Sequence, residues 1–77
     1  MRVLVAEDDK ALSRRLKADL AGAGFAVDIS ESGVDAEFMG TEIPYDAVVL
    51  DLGLPGRGGL EVLKNWRAAG NRVPVIF

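Results

Sequence analysis

The sequence predicts an α/β fold, a doubly wound parallel sheet flanked by helices on both faces, and three observations carry that prediction. Two short uniformly apolar runs, Val3-Leu4-Val5-Ala6 and Ala47-Val48-Val49-Leu50, stop abruptly at acidic residues, as strands buried on both faces do. Segments with helical spacing separate the extended ones. A strand, helix, strand alternation of this kind implies right-handed crossovers and a parallel sheet.

The elements follow in order. Val3 to Ala6 forms a first strand that closes at Glu7-Asp8-Asp9. From Lys10 the pattern becomes helical, with Leu12, Leu16, Leu20 and Ala23 on one stripe, Arg14, Arg15 and Lys17 largely off it, and Gly24 as the stop. Phe25 to Ser30 alternates, Phe25, Val27 and Ile29 against Ala26, Asp28 and Ser30, which suits an edge strand with one wetter face. A second helix follows Ser32-Gly33, has only a few apolar positions in Val34, Phe38 and Met39, and ends before Ile43-Pro44, because proline disfavours a helical residue ahead of it. Ala47 to Leu50 is a central third strand closing at Asp51. The run from Leu52 to Gly59 is too rich in glycine and proline for a regular element. A third helix runs from about Leu60 to Ala69 with Leu63 and Trp66 inward, stops at Gly70, and Val73 to Phe77 opens a fourth strand with Pro74 near its start.

Composition narrows the chemistry. The 77 residues contain no histidine and no cysteine, which removes Ser-His and Cys-His nucleophilic pairs, zinc sites of the usual ligand types and disulfides, and leaves oxygen ligands and hard cations. Twelve acidic residues against 9 basic ones give a charge of -3, which argues against nucleic-acid contact by this segment. No apolar run reaches the roughly 20 residues of a membrane span, and no signal-peptide layout opens the chain. These features describe a cytoplasmic-type domain, shorter than the common domain size of about 100 to 150 residues. Val75-Ile76-Phe77 is a strand interior, so the sequence reads as a truncated or partial domain.

The candidate site is an acidic cluster. Ligands of open parallel sheets bind beyond the carboxyl ends of the strands where strand order reverses, and Glu7, Asp8 and Asp51 end the first and third strands. Two carboxylates about 4 Å apart repel by roughly 4 kcal/mol at an effective dielectric near 20. A hard divalent cation offsets this most simply. Mg²⁺ suits a site with one or two direct carboxylates, a backbone carbonyl from Gly53 and waters, and proton uptake by one acid is the alternative. Blander roles compete at each position. Asp8 or Asp9 could cap the first helix, Asp51 could hydrogen-bond the following loop, and Gly56-Arg57-Gly58-Gly59 reads as turn chemistry. Arg14, Arg15 and Lys17 read as a solvated helix face, Trp66, Phe38 and Leu63 as core, and Lys10 as a weak candidate to bring positive charge to the pocket.

Taken together, Val3-Leu4-Val5-Ala6-Glu7-Asp8-Asp9, Val48-Val49-Leu50-Asp51-Leu52-Gly53-Leu54-Pro55-Gly56 and Gly59-Leu60-Glu61-Val62-Leu63 resemble the receiver domain of bacterial two-component response regulators, in wording closest to the winged-helix transcription-regulator subgroup. The resemblance spans the whole chain, residues 1–77 being the N-terminal part of such a domain. It implies a flavodoxin-like sheet with strand order 2-1-3-4, a sensor histidine kinase as partner, and phosphoryl transfer onto Asp51. It matches Asp8 to the direct Mg²⁺ ligand, Glu7 to the acid acting through water, and Gly53 to the carbonyl ligand. It further implies a signalling phosphoacceptor that assists its own modification, in a parent protein that binds DNA to regulate transcription. The Ser or Thr and the Lys that read the phosphoryl group in this family fall outside the 77 residues. The chain alone is therefore expected to bind Mg²⁺ weakly, to be phosphorylated poorly, and to self-associate through the exposed edge of the fourth strand. Competing functions are a non-phosphorylated interaction module of the same fold, a flavin or nucleotide binder, disfavoured because the loop after the first strand is acidic and lacks a glycine cradle, and a phosphohydrolase, disfavoured because its second acid would stand where Gly53 does.

Overall fold

The computed structural model describes residues 1–77 as seven elements: β1 (Arg2–Ala6), α1 (Lys10–Gly22), β2 (Ala26–Ser30), α2 (Gly33–Glu42), β3 (Ala47–Leu50), α3 (Gly59–Ala68) and β4 (Val75–Ile76). All strand pairs are parallel and the sheet order is β2-β1-β3-β4, the doubly wound arrangement expected. No helix is long and apolar enough to cross a membrane. In β1, Val5 lies between Ile29 and Val49, and Ala6 between Ser30 and Leu50.

One face of the sheet makes the main core. Leu4, Ala6, Val48 and Leu50 are at most 1% exposed and pack with Ala36, Tyr45, Val62 and Trp66 from the α2 and α3 side. Each such aliphatic side chain contributes about 1.5–3 kcal/mol by leaving water, so this cluster carries much of the stability of a small chain. Trp66 is its largest member, and its indole N–H is satisfied by donating to the Glu37 carbonyl at 3.1 Å.

The indole corrects the expected orientation of α2. Val34 and Phe38 point outward, 52% and 64% exposed, while Gly33, Ala36 and Gly40 form the buried stripe. The reason is steric: Trp66 lies across α2, and a Cβ at Gly40 would run into its six-membered ring. Small residues must therefore face α3, and the turn spacing then sends residues 34 and 38 to solvent. Leu63 packs partly buried against the core as expected, joined by the fully buried Val62.

Other boundaries shift for equally local reasons. The buried member of α1 is Ser13, with Leu16 and Leu20 half-buried, Leu12 43% exposed and Ala23 outside the helix as its C-cap. Gly24 ends α1 as expected, with φ 96°, its N–H donating to the Ala21 carbonyl and that of Phe25 to Leu20. The fourth strand is shorter than Val73 to Phe77. Pro74 has no N–H, so the ladder starts after it: the Pro74 carbonyl accepts from Val48 N–H at 2.9 Å, whereas Val73 is a buried loop residue held by the Asn71 side chain. On the edge strand β2, Asp28 is half-buried and accepts from the Tyr45 hydroxyl at 2.7 Å, with the Arg2 guanidinium 3.5 Å away.

Two predictions follow from this packing. Gly40→Ala should destabilise the chain by about 1–3 kcal/mol through overpacking against Trp66. Gly22→Ala, where the new methyl meets open space, should be neutral or stabilising by up to about 1 kcal/mol. Urea unfolding followed by Trp66 fluorescence compares them, and equal effects would contradict the steric account. Burial first, and then the hydrogen bond to Asp28, hold the Tyr45 phenol well above its ordinary range. The folded state thus keeps a proton that the unfolded chain releases near pH 10, so stability should be full below about pH 10 and fall as pH rises beyond it. Tyr45→Phe should lose about 1 kcal/mol at neutral pH and flatten that alkaline decline.

Candidate metal and phosphoryl-transfer site

The site begins with strand register. Because Ala6 and Leu50 are side by side in β1 and β3, the residues after them leave the sheet together. The Asp51 N–H donates to the Ala6 carbonyl at 3.0 Å and the Glu7 N–H to the Ser30 carbonyl at 2.9 Å, which fixes both at the carboxyl rim. A carboxylate oxygen from each of Glu7, Asp8 and Asp51 lies within 4.8 Å of the other two. Glu7 and Asp51 are half-buried and Asp8 is exposed.

The blander roles prove to be divided among neighbours. Asp9 caps α1, its Oδ1 accepting from the Leu12 N–H at 3.1 Å, and its own N–H donates to Glu7 Oε1 at 3.1 Å. Asp8 is thereby left free for the cluster. Asp51 does hydrogen-bond its loop, but only through Oδ1, which accepts from the Gly53 N–H at 3.2 Å. Gly53 is exposed, and its carbonyl accepts no backbone hydrogen bond.

No cation answers the three acids. The two ion pairs of the chain, Arg2 with Asp28 and Arg57 with Glu37, lie elsewhere. Lys10 lines a neighbouring polar cavity with Ser13, Arg14 and Ser32. Carboxylates at this spacing repel by on the order of 3 kcal/mol per pair at an effective dielectric near 20, and less where Asp8 meets water. Three hard oxygen donors, with a free carbonyl two residues beyond Asp51, fit the donor chemistry of Mg²⁺ and offer nothing to a softer ion.

The loop after Asp51 is anchored more firmly than its glycine content suggests. Its base closes through the Gly59 N–H to the Leu52 carbonyl at 3.0 Å, and its tip through the Gly33 N–H to the Pro55 carbonyl at 3.0 Å. In the sequence Arg57 reads as turn chemistry and Glu37 carries no signal, because only the fold brings these positions together. Beside the acids, Leu12, Leu16, Val49, Leu52 and Phe77 line an apolar groove, which joins α1, β3, the loop after β3 and the residue after β4 and has no linear signature.

Comparison with known proteins identifies the family. The family model of the response regulator receiver domain matches residues 3–77. The transcriptional regulatory protein QseB of Haemophilus influenzae is 47% identical over 77 residues, all of this chain and 35% of that protein, so the chain spans about a third of the curated relatives it matches. Among solved structures, the response regulator TrrA of Thermotoga maritima, in complex with Mg²⁺-BeF, superposes with TM-score 0.92 at 33% identity, over 99% of this chain and 66% of that one. TrrA in complex with the histidine kinase ThkA gives TM-score 0.87 at 32% identity, over 96% and 64%. With 75 of its residues matched and the receiver sheet order in place, the chain belongs to the response regulator receiver domain family.

Proposed function

We propose that this receiver takes a phosphoryl group from the phosphohistidine of a sensor kinase onto Asp51, in a cytoplasmic signalling protein whose remaining length binds DNA and regulates transcription. The observation that carries the proposal is the convergence of Glu7, Asp8 and Asp51 within 4.8 Å without a basic partner. Mg²⁺-BeF on TrrA, its complex with ThkA, and the naming of QseB as a transcriptional regulatory protein support it. Asp8, Asp51 and the Gly53 carbonyl would hold Mg²⁺ directly and Glu7 through water. When bound, the ion neutralises the acids and takes up charge on the transferring phosphoryl oxygens.

The chain's own residues do the rest. A carboxylate oxygen of Asp51 attacks phosphorus, the bond to the donor imidazole nitrogen breaks with its electron pair staying on the imidazole, and an acyl phosphate forms. The β1–β3 register and the Gly53 N–H on Oδ1 hold the nucleophile in one orientation before the donor arrives, which is how the receiver assists its own modification. The absence of histidine from the chain accords with a donor imidazole supplied by the partner.

Incubation with a small-molecule phosphodonor and Mg²⁺, read by intact mass, should show slow modification that chelation and Asp51→Asn both abolish. Asp8→Asn should weaken Mg²⁺ binding by about tenfold or more. No modification at all would favour the non-phosphorylated interaction module, modification that survives Asp51→Asn would move the acceptor to another residue and overturn the assignment, and rapid modification would contradict the expectation of a poorly phosphorylated chain. We further propose self-association of the 77-residue chain, supported by the β4 edge with Ile76 and Phe77 60% and 59% exposed. Light scattering should show mass rising with concentration, and a constant monomer mass at high concentration removes the idea.

A further inference from the structure

We propose that Arg57 and Glu37 are positioning residues, an ion-paired strap by which α2 holds the β3–α3 loop so that Asp51 and Gly53 keep the arrangement needed at the acidic site. The proposal rests on the metal-site reading above and deepens it. The loop between Asp51 and α3 contains Gly53, Gly56 and Gly58, so left to itself it would sample many conformations. What restrains it lies outside it. Arg57 Nη1 sits 3.0 Å from Glu37 Oε2, while Glu37 Oε1 accepts from Asn65 Nδ2 at 2.7 Å and the Glu37 carbonyl accepts from Trp66 Nε1. One residue of α2 thereby ties the loop to α3 and to the largest core side chain.

A second, independent feature shows how tightly the loop is drawn to α2. The Gly33 N–H bonds the Pro55 carbonyl, and a Cβ at Gly33 would collide with the Arg57 carbonyl oxygen. The first turn of α2 thus touches the loop backbone on either side of Gly56, five residues beyond the Asp51 whose Oδ1 meets the Gly53 N–H. Arg57 and Glu37 side chains are 33% and 24% exposed, and a pair so placed adds little to global stability. Its effect is therefore local. The guanidinium suits the task because its planar fork and long stem reach the carboxylate while the backbone stays at the turn.

Amide exchange by NMR tests the strap without metal. In Arg57→Ala, and in Glu37→Gln, which keeps an acceptor for Asn65, the Gly33 and Gly59 amides should exchange faster by on the order of tenfold. The Ser13 amide of α1 should not change, as it would if the variants merely destabilised the fold. Arg57→Lys should restore protection in part. In parallel, the Mg²⁺ dissociation constant should rise by about tenfold in both charge-removing variants, as when supports behind a metal ligand are lost, and the double variant should be no worse than either single one. Unchanged exchange at Gly33 and Gly59 overturns the strap. Faster exchange with unaltered Mg²⁺ affinity overturns its coupling to the site. Failure of the unaltered chain to bind Mg²⁺ removes the metal reading and with it the coupling, and exchange alone then judges the strap.

Discussion

Everything at the carboxyl rim depends on β1 and β3 being neighbours in the register that pairs Ala6 with Leu50. That pairing is dictated from below by the apolar runs, since the residues of β1 from Val3 to Ala6 and the inward residues of β3 are buried only when the strands lie flush. A slip of one residue between the two strands would turn either Leu4 or Val48 away from Trp66 and the core cluster. The register that satisfies the hydrophobic requirement is the same one that forces Glu7, Asp8 and Asp51 together. Burial of the strands thus holds in place an electrostatic conflict that neither ion pair of the chain relieves. A destabilising arrangement of charge kept by a stabilising arrangement of apolar groups is the pattern expected of a site that acts on a cation or a charged group.

How much of this was legible depends on whether a signal lay within one element or between two. The strands β1 and β3 announce themselves because their side chains are apolar without alternation, and the acids that end them announce the rim for the same reason. The stops at Gly24 and before Pro44 follow from backbone chemistry that needs no partner. Orientation of the helices was less accessible. In α2 the sequence offers Phe38 as a core residue, and it faces water together with Val34, because the decisive neighbour is Trp66, contributed by α3 from 26 positions beyond Gly40. In α1, Leu12 faces the groove beside the acids and Ser13 is buried in its place. The division of labour between Asp8 and Asp9 was likewise open, since adjacent acids at a helix start differ only in which one the turn aims at the Leu12 N–H.

The two faces of the sheet are built differently, and the difference bears on function. The α2 and α3 face is closed by Trp66, Val62, Ala36 and Tyr45 and has every buried polar side chain satisfied. The α1 face is sparser: Val3 and Val5 are covered, but Val49 is only half-buried, and Leu12, Leu52, Ile76 and Phe77 show broad apolar surface. Fixed framework and open surface meet at Asp51, which is held from the closed side through its loop and borders the groove on the open side. A change in charge at Asp51 therefore reaches both. On the closed side it must act through hydrogen bonds already made, at Gly53, Pro55 and Gly59, where there is little room to move. On the open side it meets the exposed side chains of Leu12, Leu52 and Phe77. The most exposed apolar residues lining the groove beside Asp51 are thus Leu52 and Phe77, both on the open side of the sheet.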